Sequence, residues 1–270
     1  MRTPTPSPPK AESAQAYFEL AIQRGKKKAA LVRGGSDKVL RAQNVEYERI
    51  RAIRDSLVDS LSNIHDSYPS FDRLGEFTIH LFSLDLDPGR AKHALGNLKH
   101  SIAVIKDLSK EHVTYIQRGR TIEDVARVRG AYLGRIASVI KKVDSSLAVL
   151  NDARTVFRGL PDIDETLFTA AIAGFPNVGK STLLRNLTTA KPEIKPYAFT
   201  TKGLNVGYFS YKYNNIQCID TPGTLDREKP NPIERKADAV LRYLAHFIIF
   251  VIDPTEGSAT LADQKKLLTR

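Results

Sequence analysis

Phe168-Thr-Ala-Ala-Ile-Ala-Gly174-Phe-Pro-Asn-Val-Gly-Lys180-Ser-Thr-Leu-Leu-Arg-Asn-Leu187 sets the architecture of the C-terminal part of the chain. Phe168 to Ala173 has the length and apolar make-up of a buried strand. The next eight residues, Gly174, Phe175, Pro176, Asn177, Val178, Gly179, Lys180 and Ser181, fit G-x-x-x-x-G-K-[ST] at every fixed position. A helix is expected from about Lys180. Strand, glycine-rich loop and helix, in that order, form the context in which this pattern grips phosphate. Glycine lets the backbone wrap closely, so that its N–H groups point at phosphate oxygens. The helix N-terminus adds a favourable dipole. Lys180 is expected to neutralise the β- and γ-phosphates and Ser181 to offer its hydroxyl to Mg²⁺, with Thr182 completing the loop.

Downstream residues extend the site. Asp220-Thr-Pro-Gly223 follows a strand, Ile216 to Ile219, as a D-x-x-G switch does. Asp220 is expected to hold Mg²⁺ through water, and the Gly223 N–H to sense a γ-phosphate. Pro196-Tyr-Ala-Phe-Thr-Thr201 lies between the two motifs, and Thr201 is the expected threonine cap on the metal. Lys180, Thr201 and Gly223 are thus the candidate catalytic residues, with Ser181, Thr201 and Asp220 as metal ligands.

Further strands and helices surround these motifs. Tyr208 to Tyr213 and Ile216 to Ile219 flank Asn214-Asn215, which reads as a hairpin turn. Phe247 to Ile252 reads as another buried strand, and a helix is expected over roughly Ile233 to Leu244. Residues 167–270 therefore read as an α/β domain with a mixed sheet. Gly159-Leu-Pro-Asp-Ile-Asp opens a linker over 159–166.

Residues 13–158 read as an all-α bundle of three long helices and a shorter one near Ala14 to Gln23. Ile50, Ile53, Leu57, Leu61 and Ile64 step by three and four. So do Leu95, Leu98, Ile102, Ile105, His112 and Ile116, and then Ile122, Val125, Tyr132, Ile136, Ile140, Val143, Leu147 and Leu150. Asp87-Pro88-Gly89 and Thr121 with Glu123 and Asp124 are helix starts. Residues 1–12, with MRTPTPSPPK, read as a disordered proline-rich tail.

Lysine and arginine number 41 against 30 aspartates and glutamates, a net charge of +11 with pI near 9.6. That excess suits a polyanionic partner as well as a merely soluble basic surface. Arg24, Lys26, Lys27, Lys28, Arg33, Lys38 and Arg41 form one cluster, opposed only by Asp37. Arg118, Arg120, Arg127, Arg129 and Arg135 form a second. Either cluster suits RNA phosphate contacts or a solvated helical face. No apolar run approaches the ~20 residues of a membrane span. The single cysteine, Cys218, excludes an internal disulfide and reads as a small buried residue; the six scattered histidines read as structural.

The motif stretch resembles a known family. The loop at Gly174, Ala190-Lys-Pro-Glu-Ile-Lys-Pro-Tyr-Ala-Phe-Thr-Thr-Lys-Gly-Leu-Asn-Val-Gly207 and Asp220-Thr-Pro-Gly-Thr-Leu-Asp-Arg227 are similar to the nucleolar GTP-binding protein 1 family, relatives of the Obg group. The likeness runs on into Ile252-Asp-Pro-Thr-Glu and back to Tyr17-Phe-Glu-Leu-Ala-Ile-Gln-Arg24. It implies a helical bundle followed by a P-loop GTPase domain that uses GTP, GDP and Mg²⁺. It also implies assembly of the large ribosomal subunit, with ribosomal RNA, the pre-large-subunit particle and assembly proteins as partners. DNA specificity and a membrane are not expected, and the absence of a signal sequence and of disulfides suits a cytoplasmic protein.

Three points depart from the simplest GTPase. Thr224, not glutamine, follows Gly223, so no side chain obviously orients the attacking water. Asn177 stands where potassium-stimulated relatives use asparagine to hold K⁺; the other reading is a hydrogen bond to its own loop. No N-K-x-D follows Phe247 to Ile252, so the sheet is expected to be incomplete at its C-terminal end, by about 60 residues of a full domain. GTP therefore rests on resemblance, and a non-hydrolysing scaffold and a regulatory GTPase with a protein partner stand as alternatives.

Overall fold

The computed structural model describes residues 7–33, 37–161, 163–188, 193–194, 204–221 and 232–269. They fall into two compact units, one within residues 7–70 and 86–155, the other within 71–85 and 156–269. A contiguous helical domain over 13–158 is therefore interrupted: residues 71–85 group with the α/β unit.

The first unit contains helices α1 (Ala14–Ala30) and α2 (Lys38–Ser67). Helix α4 (Pro88–Arg118) and most of α5 (Ile122–Gly159) complete it. Each start has a local cause. The Ser13 hydroxyl accepts from Ala16 N at 3.2 Å, and Asp37 Oδ1 accepts from Val39 N at 2.8 Å and Leu40 N at 3.1 Å. Asp87 caps α4, whose first residue is Pro88; Thr121 and Asp124 exchange bonds at the head of α5, as a capping box does. Ile50, Ile53, Leu57, Leu61 and Ile64 are all buried. On α4 the buried line runs through Ala91, Ala94, Leu98, Ser101, Ile105, Ser109, His112 and Ile116, so small residues take the places expected of Leu95 and Ile102. Tyr132 from α5 lies wholly buried, its hydroxyl 3.0 Å from Ser109 Oγ.

In the second unit the strands β1 (Phe168–Ala173), β2 (Glu193–Ile194), β3 (Asn205–Tyr211), β4 (Asn214–Asp220) and β5 (Phe247–Phe250) form one sheet, ordered β2-β3-β4-β1-β5. β1 runs parallel to β4 and β5, while β3 is antiparallel to β2 and β4, so the sheet is mixed. Helices α6 (Lys180–Leu187), α7 (Pro232–Tyr243) and α8 (Leu261–Leu268) follow β1, β4 and β5. The short α3 (Glu76–Ser83) packs Phe77 and Leu81 into the core formed by Ala171, Val206, Ile219, Val240 and Leu244. Its N-terminus is capped from a distance: both Glu165 carboxylate oxygens accept from the Phe77 and Thr78 amides, at 3.2 and 3.1 Å.

Two sequence expectations need correction here. The hairpin turn is Lys212-Tyr213 and not Asn214-Asn215, which lie in β4. Buried pairing decides this: Val206 opposes Ile219 and Gly207 opposes Cys218, which centres the turn two residues earlier. Lys212, with φ of 54°, adopts the left-handed conformation that asparagine was expected to supply. Second, β5 is not a buried strand. It lies at the sheet's edge, where Phe247 and Ile248 are 42% and 51% exposed.

Candidate functional site

The site grows from the end of β1. Ala170 to Ala173 are buried, and the chain leaves the strand through Gly174, whose φ is 144°. A Cβ there would lie 2.5 Å from Val251 O, while Val251 N donates to Ala173 O at 2.8 Å. The close approach of two backbones is what demands glycine. Asn177 and Gly179 follow with φ of 64° and 96°, so the loop curls through left-handed conformations before α6 begins at Lys180. Asparagine tolerates that region better than most residues. The Asn177 side chain is exposed and makes no hydrogen bond to the loop among the described residues.

Lys180 is buried, and its ammonium lies inside the curl, donating to Phe175 O at 2.7 Å. Burial pulls its pKa below the usual lysine value, and Asp220 partly opposes that shift. An ammonium held with incomplete solvation is poised for an anion. Beside it the Ser181 hydroxyl donates to Asp220 Oδ2 at 2.5 Å, which ties the head of α6 to the end of β4. Asn205 Nδ2 donates to the same oxygen at 3.1 Å. Asp220 Oδ1 is buried with no hydrogen-bond partner among the described residues. Thr221 anchors the strand end through N and Oγ1, both on Ile172 O, at 3.0 and 2.9 Å.

Lys180, Ser181 and Asp220 are thus brought together with the loop from Gly174 through Phe175, Pro176, Asn177, Val178 and Gly179. Thr182, on the first turn of α6, is exposed and its Oγ1 lies 3.4 Å from Arg185 Nη2. Thr201 and Gly223 lie outside the described residues. Asp253 belongs to a structural turn: its carboxylate accepts from Thr255 N, Thr255 Oγ1 and Gly257 N, while Gln264 holds its backbone.

Sequence reasoning missed Asn205 as a neighbour of Asp220. The two are directly opposed across β3 and β4. A turn at Asn214-Asn215 would have set Phe209 there instead, so the misplaced turn hid the pairing.

The two basic clusters differ in how far they are engaged. Arg24, Lys26, Lys27, Lys28, Arg33, Lys38 and Arg41 are all exposed, and none lies within ion-pair distance of a carboxylate among the described residues. Asp37, the one acid among them, is engaged as a helix cap. In the second cluster Arg129 pairs with buried Glu46 at 3.1 Å, Arg127 with Asp124 at 3.6 Å and Arg135 with Glu111 at 3.6 Å. Among the described residues only Arg118 and Arg120 of that cluster form no ion pair.

A curled loop between strand and helix, with lysine inside it and a serine–aspartate pair at its mouth, defines a P-loop GTPase domain, here preceded by a helical domain. Comparison with known proteins agrees in both parts: residues 6–164 match the NOG1 N-terminal helical domain, and residues 169–270 match the 50S ribosome-binding GTPase family. The chain belongs to the Nog1 family of GTP-binding proteins. The Methanocaldococcus jannaschii protein MJ1408 is 36% identical over 252 residues, covering 92% of this chain and 71% of its own. Nucleolar GTP-binding protein 1 of Drosophila melanogaster is 32% identical over 94% of this chain and 39% of its own. The Saccharomyces cerevisiae protein of the same name is 29% identical over 96% of this chain and 40% of its own. The chain therefore spans about two fifths of the length of these eukaryotic relatives. Their name also corrects the cytoplasmic expectation: eukaryotic members, including that of Arabidopsis thaliana, are called nucleolar.

Proposed function

We propose that this chain binds and hydrolyses GTP with Mg²⁺ and serves as an assembly factor for the large ribosomal subunit, its helical part touching ribosomal RNA. The observation that carries the reading is the juxtaposition of Lys180, Ser181 and Asp220 around the loop that leaves β1. Lys180 would exchange the Phe175 carbonyl for phosphate oxygens, which suits a cation whose burial disfavours its charge. Ser181 already spends its proton on Asp220, so its oxygen lone pairs are left for a cation. Asp220 Oδ1, which has no hydrogen-bond partner among the described residues, suits a cation-bound water, so the residues present fit Mg²⁺. Magnesium, when bound, supplies positive charge to the β- and γ-phosphates. The exposed Asn177 is compatible with K⁺ near the same phosphates, and comparing hydrolysis rates in KCl and NaCl tests that role.

The RNA part of the reading is supported by the unpaired cations from Arg24 to Arg41 and by the family name that matches residues 169–270. Calorimetric titration with GTP, GDP and ATP, with and without Mg²⁺, tests the nucleotide part. Nucleotide should bind with Mg²⁺-dependent affinity, and tighter binding of GTP and GDP than of ATP supports the assignment of GTP; no Mg²⁺-dependent binding of any of the three would overturn the nucleotide reading.

A further inference from the structure

We propose that Asn205 is a positioning residue for Asp220: its amide pins one carboxylate oxygen so that the other is presented to a cation-bound water. The inference rests on the nucleotide reading above. Asn205 opens β3 and stands directly opposite Asp220 on β4. Directly opposed residues of an antiparallel pair project to the same face, which brings amide and carboxylate together. An ionised carboxylate only accepts hydrogen bonds, so the atom that meets it 3.1 Å away is the amide nitrogen.

The carboxylate has two oxygens in unequal surroundings. Oδ2 takes both donors, Asn205 Nδ2 and Ser181 Oγ. Oδ1 is buried and has none among the described residues. A buried carboxylate oxygen without a donor is unfavourable until something satisfies it. Ser181 alone would leave the carboxylate free to turn about its Cβ–Cγ bond, offering either oxygen to the hydroxyl. A second donor on Oδ2, arriving from a different strand, removes that freedom and fixes Oδ1 as the vacant acceptor. Asparagine meets the need: leucine has the shape without the donor, and aspartate would set a second negative charge against the first.

Fluorescent mant-GDP titration of the full chain tests this, with MgCl₂ varied from micromolar to millimolar and a parallel series in EDTA. Asn205→Leu is expected to need roughly tenfold more Mg²⁺ for half-maximal effect, as loss of an outer-sphere support does. Affinity in EDTA should stay at the wild-type value. Asn205→Ala is expected to shift the Mg²⁺ midpoint in the same direction, and it serves if the leucine variant does not fold. An unchanged Mg²⁺ midpoint overturns the proposal, as does a fall in EDTA affinity by the same factor, which would mark Asn205 as merely structural. Should the wild-type chain bind mant-GDP in neither series, the nucleotide reading itself fails and takes this one with it.

Discussion

Lys180 holds its ammonium against one carbonyl, Phe175 O, and burial lowers its pKa. The sign of that shift matters. Because the folded state binds this proton more weakly than the unfolded chain, the buried charge costs stability below the folded pKa. That cost fades as pH rises from the folded value towards 10.5. Lys180→Met is therefore expected to keep or slightly raise the nucleotide-free melting temperature. It should also weaken nucleotide binding about 100-fold, the equivalent of one strong charge-assisted hydrogen bond. Calorimetry on Lys180→Met and the wild-type chain checks the pair of outcomes together. Tyr132 carries the opposite shift: burial raises its pKa to about 12. Its contribution is complete below pH 10 and is lost as pH climbs from 10 towards 12, amounting to about 2–3 kcal/mol. Tyr132→Phe removes this alkaline loss, and because Ser109 still donates to Ile105 O it should be only mildly destabilised at neutral pH. Urea midpoints between pH 8 and 12 decide it.

Among the elements, the loop between β1 and α6 depends on its glycines. Gly174→Ala places a Cβ against Val251 O at a φ of 144°, and should cost about 2–3 kcal/mol of stability, read as a lower urea midpoint. Gly179→Ala meets no neighbouring atom and is destabilised only through its φ of 96°, by about 1 kcal/mol. This loop was legible in the sequence because all its determinants are local: strand, glycines, lysine and helix start are consecutive. The long helices were legible for the same reason, through caps and apolar periodicity. What escaped depends on partners far along the chain. Helix α3 is capped by Glu165, nearly ninety residues away. The hairpin turn is fixed by the buried pairs Val206–Ile219 and Gly207–Cys218, and an exposed Tyr213 gave no hint of it. Arg129 looked like a surface cation until burial of Glu46 gave it an internal partner.

Across the chain, excess positive charge is concentrated in the first unit, and the basic residues at the end of α1 and the start of α2 form no ion pair among the described residues. Reversing Lys26, Lys27 and Lys28 to glutamate should weaken binding to ribosomal RNA. It should also lower the salt slope by about 2–3, since each phosphate left without its cation removes about one from that slope. Nucleotide affinity should not change; an RNA affinity that also stayed constant would make the cluster a solubility face. All of this presumes that the backbone from Gly174 to Thr182 encloses a phosphate chain, and amide hydrogen exchange with and without Mg²⁺–GDP probes that enclosure at the residues concerned. Strong new protection is expected, concentrated in the amides of residues 175–182. Unaltered exchange across that segment at saturating nucleotide would contradict it.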